Sequence, residues 1–139
     1  MMEAAFGYEW LQTTLSVASV LNAGATKVCA DVAEVGTVAP WVVYGLQSSQ
    51  DSNSASNYRL LTDNLFWVRA VGLKRDRTLL IAIANACDAL LQRKQGTTTD
   101  GGVILDCIRE QELILTQNLD GELWTYAGGL YRLLINTGQ

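Results

Sequence analysis

Near the C-terminus two extended-looking segments, "VILDCIREQELILTQ" and "GELWTYAGGLYRLLIN", are separated only by "NLDG", and that spacing leaves the chain few architectures. Asp120-Gly121 suits the two positive φ angles of a tight two-residue turn, so the segments pair as a long antiparallel hairpin. A hairpin is not stable alone in water and must join a larger sheet or pack under a helix. Gly128 and Gly129 interrupt the second arm, and the spacing predicts a bulge or bend there.

The rest of the chain supplies that sheet and its cover. Phe6, Trp10, Leu11, Thr14, Val17 and Leu21 recur at three- and four-residue steps, which predicts one amphipathic helix from Glu3 to about Val20. It ends near "NAGAT", where Gly24 punctuates the C-terminus, and a short extended piece, Lys27 to Asp31, follows. Pro40 opens the β-branched and aromatic run Trp41 to Leu46, a position where a strand tolerates proline. Arg59 to Gly72 is the next strand. Its apolar residues occupy both faces between Leu65 and Val68, so that end is expected to be covered on both sides. Asp76 is a predicted N-cap for "RTLLIAIANACDALLQRK", whose Leu79, Leu80, Ile83, Cys87, Leu90 and Leu91 form one stripe. Gln95 to Gly102 is turn chemistry. Helix, strands, helix, strands reads as α+β: an antiparallel sheet packed against two helices, closed by the C-terminal hairpin. The 139 residues are expected to form a single domain.

With 49% hydrophobic and 17% charged residues the chain is built to fold, and the low charge makes surface shared with other subunits an expectation. A net charge of −4 argues against binding driven by neutralising phosphates. No uninterrupted apolar run is long enough to span a bilayer, and no basic leader is visible, so cytoplasmic synthesis is expected. Cys29, Cys87 and Cys107 are odd in number and widely spaced, as unpaired thiols in a reducing compartment are. There is no histidine, which removes Ser-His and Cys-His nucleophile pairs and the common zinc sites. No catalytic residue, cofactor or metal site is therefore predicted. Asp106, Glu110 and Glu112 share parity along one strand and are the remaining carboxylates for an acid-base pair; a solvated or interface face is the preferred reading.

Two features point to contacts. The stretch from Gln47 to Asn57, "QSSQDSNSASN", contains almost nothing to bury and reads as a presented polar loop, with Gln47, Ser49, Asp51, Asn53, Ser56 and Asn57 as its contact residues. Lys74, Arg75 and Arg77 form the one basic cluster. They stand where a helix N-terminus disfavours cations, so a partner carboxylate or phosphate would account for them. Of the four tryptophans, Trp10, Trp41, Trp67 and Trp124, most are expected in the core and one or two as interface anchors.

The pattern "AP-W-VVY", a variable polar segment, "LFWVRAVG", a helix of the "LLIAIANACDALL" type and a closing "GLYRLLI" resembles the tail terminator and tail-completion (tail-to-head joining) proteins of long-tailed bacteriophages, over about Glu3 to Ile135. The resemblance implies a virion structural protein: a homohexameric ring that caps the tail tube, meets the tail tube protein on one side and docks the head-side connector or stopper on the other. It implies that the polar loop projects toward neighbouring rings or the lumen, and that DNA passes through that lumen without specific binding. Another neck ring protein is the near alternative. A small cytoplasmic ligand-binding or adaptor domain, which would carry an apolar pocket and form no hexamer, is the alternative from a different class.

Overall fold

The computed structural model describes residues 4–53, 59–99 and 101–136. Its elements in chain order are α1 (Ala4–Leu15), α2 (Ala18–Asn22), β1 (Val28–Ala30), β2 (Trp41–Asn53), β3 (Arg59–Leu73), α3 (Arg77–Leu91), β4 (Gly96–Thr97), β5 (Val103–Leu119) and β6 (Glu122–Asn136). The strands make a six-stranded sheet in the order β1-β2-β3-β6-β5-β4. All pairs are antiparallel except β1 with β2. The α+β class and the long C-terminal hairpin are as expected, with three helices in place of two.

The predicted first helix breaks at Val17, whose backbone is extended at φ −123° and ψ 164°. Turning there brings Leu15 and Val20 both to full burial. The hairpin turn is as the sequence demands: Leu119 pairs with Glu122, and Asp120 and Gly121 take φ of 52° and 84°.

Gly128 and Gly129 do not bend β6, whose register against β3 runs unbroken; the irregularities lie on β5, at Ile104/Asp106 and Arg109/Gln111. Glycine is needed there for close approach. A Cβ on Gly128 would lie 1.9 Å from the Val68 carbonyl oxygen, and one on Gly129 would lie 2.6 Å from that of Gln111.

Gln47 to Asn53 is also not loop. It continues β2, with Gln50 opposite Asp63 and Asp51 opposite Thr62, and the shift between Leu46 and Ser48 makes Gln47 a bulge. Polar residues persist here because strand pairing satisfies the backbone whatever the side chains are, and Gln47 to Gln50 point into exposed positions. Ser56 and Asn57 lie outside the described residues. Asp76 stands at the N-cap of α3 without a side-chain capping bond, because a 3₁₀ turn, Lys74–Asp76, leads into the helix and the Lys74 carbonyl accepts the Arg77 N–H.

One face of the sheet carries the core. Leu80, Ile83, Cys87 and Leu91 of α3, with Trp10, Leu11 and Leu15 of α1, pack on alternate strand residues such as Val42, Tyr44, Phe66, Val68, Tyr131 and Leu133. Each such aliphatic or aromatic side chain contributes about 1.5–3 kcal/mol on leaving water. Burial also pushes the Cys87 and Cys107 thiols up to about 12. Two polar bonds fix the helices over this face. The Tyr131 hydroxyl donates to Asp88 on α3 at 2.8 Å, and the Tyr44 hydroxyl donates to Gln12 on α1 at 2.7 Å.

Candidate interaction surface

Among the described residues no helix lies on the opposite face of the same strands. Its residues are the ones between the core positions, Trp41 and Val43 on β2, Leu65 and Trp67 on β3, and Trp124, Tyr126 and Leu130 on β6, and none belongs to the core cluster. Register brings them into rows: Trp41 faces Val71, Val71 faces Tyr126, and Tyr126 faces Leu115 of β5. Three of the four tryptophans therefore lie on this open face and only Trp10 is in the core. The end expected to be covered on both sides is covered by helices on one side alone.

Charge on this face is held in place by aromatic and acidic neighbours. The Arg69 guanidinium lies 4.3 Å from the Trp67 ring centroid and 5.1 Å from that of Tyr126. Arg132 bridges three strands: it reaches Asp63 on β3 at 2.5 Å and grips Glu110 on β5 through Nε and, at 2.9 Å, through Nη2. The paired guanidinium holds the Glu110 carboxyl below its ordinary value, and the Glu110 and Asp63 carboxylates in turn raise that of Arg132.

Asp106, Glu110 and Glu112 are not brought together as a site. Asp106 pairs with Arg93 at 2.7 Å, Glu110 is taken by Arg132, and Glu112 falls on the helix side beside Asn85. The β5 bulges break the parity that the sequence seemed to give them.

At one end of the open face is a cleft of about 560 Å³. Trp41, Trp124 and Tyr126 form its aromatic wall, with the two indoles 5.6 Å apart. Asp31, Asp120 and Glu122 form an acidic lip, the last two set there by the hairpin turn. Asp31 is positioned by Tyr8 of α1, whose hydroxyl donates to it at 2.7 Å and accepts the Leu46 N–H at 3.0 Å. Burial, more than these contacts, raises the Tyr8 pKa. Beside the cleft the connection from β1 to β2 holds out Val32, Val35 and Val38, all strongly exposed.

The outer edge of β5 adds a second apolar feature. β4 pairs only with Val103 and Ile104, and the Gln92 side chain accepts the Arg109 N–H at 2.7 Å, after which the edge has no strand partner among the described residues. Along and around this arm Leu113, Ile114, Leu115, Leu119 and Leu123 are 36–50% exposed. Leu113, Leu115 and Leu119 fall on the open side of this arm, and exposed leucines beside a free strand edge are a contact surface or an aggregation liability.

Of the residues the sequence marked for contact, Gln47 and Ser49 are exposed on β2, and Asp51 and Asn53 lie further along that strand. Lys74, Arg75 and Arg77 are exposed at the start of α3 and make no ion pair among the described residues. The open aromatic face and its cleft were not singled out. Their signal was present in the doubly apolar strands, where both parities carry large side chains. Among the described residues no helix is long and apolar enough to cross a membrane.

No protein-family model matches this chain, and no curated protein matches it. Among solved structures it is similar in fold to a chain in the virion of a native gene transfer agent particle, with a TM-score of 0.72, at 13% identity, over 96% of this chain and 97% of that one. The likeness extends over almost the full length of both chains and identifies the fold.

Proposed function

We propose that this protein is a virion structural subunit of a long-tailed phage or phage-like particle, and within it the tail terminator, a single domain over residues 1–139 acting as a homohexameric ring. The observation that carries the reading is the uncovered sheet face. Trp41, Trp67, Trp124, Tyr126 and Leu130, all partly exposed, and the exposed leucines of the β5 arm form an apolar face that no helix covers among the described residues, the kind of surface that marks a protein contact. A ring subunit needs two different side surfaces that meet by rotation, and a top and a bottom for other partners. The full-length fold likeness to a component of a gene transfer agent virion supports the same class. The ring caps the tail tube, offers the head-side connector a docking surface, and lets DNA through an acidic lumen without holding it; the exposed polar end of β2, from Gln47, faces a neighbouring ring.

Light scattering coupled to size exclusion, and negative-stain microscopy with tail tube protein, should show rings of six in solution or at tube ends. A strict monomer that ignores tube ends overturns the reading. A second reading, a small-ligand domain, is favoured by the cleft, whose volume is in the range of ligand pockets. It predicts a monomer, and a Trp41 and Trp124 fluorescence response to a small molecule that persists where no ring forms.

A further inference from the structure

The acidic lip and the basic cluster lie at the same end of the sheet but on opposite sides of it. Leu73, the last residue of β3, pairs with Trp124 of the cleft wall. The next residue, Lys74, begins the 3₁₀ turn that carries the chain over to the helix layer, where Arg77 opens α3. Trp41, Trp124 and Tyr126 face the other way, on the open side, under the lip of Asp31, Asp120 and Glu122.

Neither set forms an ion pair within its own subunit among the described residues. Lys74, Arg75 and Arg77 are exposed and unpaired among the described residues, and so are Asp120 and Glu122, while Asp31 is engaged by the Tyr8 hydroxyl alone. The other ion pairs that involve this sheet close inside the subunit, as Arg132 with Asp63 and Glu110, Arg93 with Asp106 and Arg109 with Asp88 show. Arg69 also lines the cleft, with its guanidinium over the Trp67 and Tyr126 rings, and it forms no ion pair with the lip among the described residues.

From this placement we infer that the cleft is completed by a second copy of the chain, whose Lys74, Arg75 and Arg77 enter between the indole wall and the acidic lip. The inference rests on the ring reading above and names the contact that closes it. Head-to-tail rings join the front of one subunit to the back of the next at equal height along the ring axis. Acids in front and cations behind, at one end of the strands, meet that condition for an axis running along them. Aromatic faces next to carboxylates are good receptors for guanidinium and ammonium groups, since both the ring quadrupole and the carboxylates attract the cation. It also accounts for the cations at the start of α3, which oppose the helix dipole until a partner covers them.

The test is a charge swap read by light scattering. The lip variant carries Asp120→Asn and Glu122→Lys, asparagine being chosen because position 120 has positive φ. The cluster variant carries Lys74→Glu and Arg77→Glu. Each should raise the protein concentration needed for rings by about tenfold or more, and the chain with all four changes should recover most of the loss. Raising salt from about 0.05 M to about 0.5 M should weaken wild-type rings. Single-side variants that fold by circular dichroism and still assemble like wild type overturn the contact while leaving the ring reading standing. So does a fully swapped chain that folds and does not recover. If wild type forms no ring even on tube ends, the ring reading fails, and the cleft is judged by titrating the monomer with a Gly72–Leu79 peptide. Tryptophan quenching in wild type and not in the lip variant keeps the cleft as a receptor for this segment, and its absence overturns it.

Discussion

The helix-covered face and the open face of this sheet are made by alternate residues of the same strands, so they share backbone, register and local dynamics. They differ in what covers them. On the covered face Phe66, Val42, Tyr44 and Leu133 are 0–2% exposed, and the helices lie across them. On the open face Trp41, Trp67, Trp124 and Tyr126 are partly exposed beside one another and Arg69, with no helix above them among the described residues. Folding of the subunit explains the first set completely. It does not explain the second, because a solvated sheet face is ordinarily polar at every second residue. The apolar content of the open face is therefore what folding of the subunit leaves without a helix over it.

That comparison is broken if the two faces respond alike to truncation. The largest expected effect is on the covered face: Phe66→Ala should cost about 3–5 kcal/mol in chemical denaturation, the transfer loss and the cavity acting together. An effect under about 1 kcal/mol would mean that the core lies elsewhere. A smaller stability effect, about 1 kcal/mol or less, is expected for Trp124→Ser on the open face, where the side chain loses mainly its contact with Trp41. The same variant should abolish or greatly weaken ring formation. A Trp124→Ser protein as destabilised as Phe66→Ala would make the open face part of the folding core.

The smallest effect sharpens the comparison through pH. Arg132 holds the Glu110 carboxyl below its ordinary value of 4.5. A carboxyl depressed on folding stabilises the fold fully above that ordinary value, and the contribution fades as pH falls through the lower folded value. Glu110→Gln should therefore flatten the acid limb of a stability-versus-pH curve slightly and leave stability near pH 7 to pH 9 with a constant offset. An unchanged acid limb would show the Arg132 clamp to be solvated and inert.

Legibility in the sequence followed the range of the interactions. Asp120-Gly121, the strand opening at Trp41 and most of the predicted α3 stripe depend on neighbours a few residues away and stand as expected; of that stripe Leu80, Ile83, Cys87 and Leu91 are buried, Leu90 is partly buried and Leu79 is exposed. The break at Val17, the regular backbone through Gly128 and the strand continuing from Gln47 to Asn53 depend on residues far off in the chain. Gly128 is the clearest case. A glycine pair reads as a bend until Val68 is seen to lie where its Cβ would be. Of the candidate site, the basic cluster and part of the polar segment were legible as surface. The cleft was not, because Trp41, Trp124, Asp31 and Glu122 come together only when β1, β2, β3 and the hairpin are laid side by side.

Local chemistry, written residue by residue, determined which segments extend, which coil and where the last hairpin turns. Only the tertiary structure decided which of two apolar strand faces the helices would take, and so which one was left open. The reason is physical: alternation presents both faces with equal clarity, but a helix occupies one side of a sheet, and its choice is settled by packing between parts of the chain that sequence spacing does not relate.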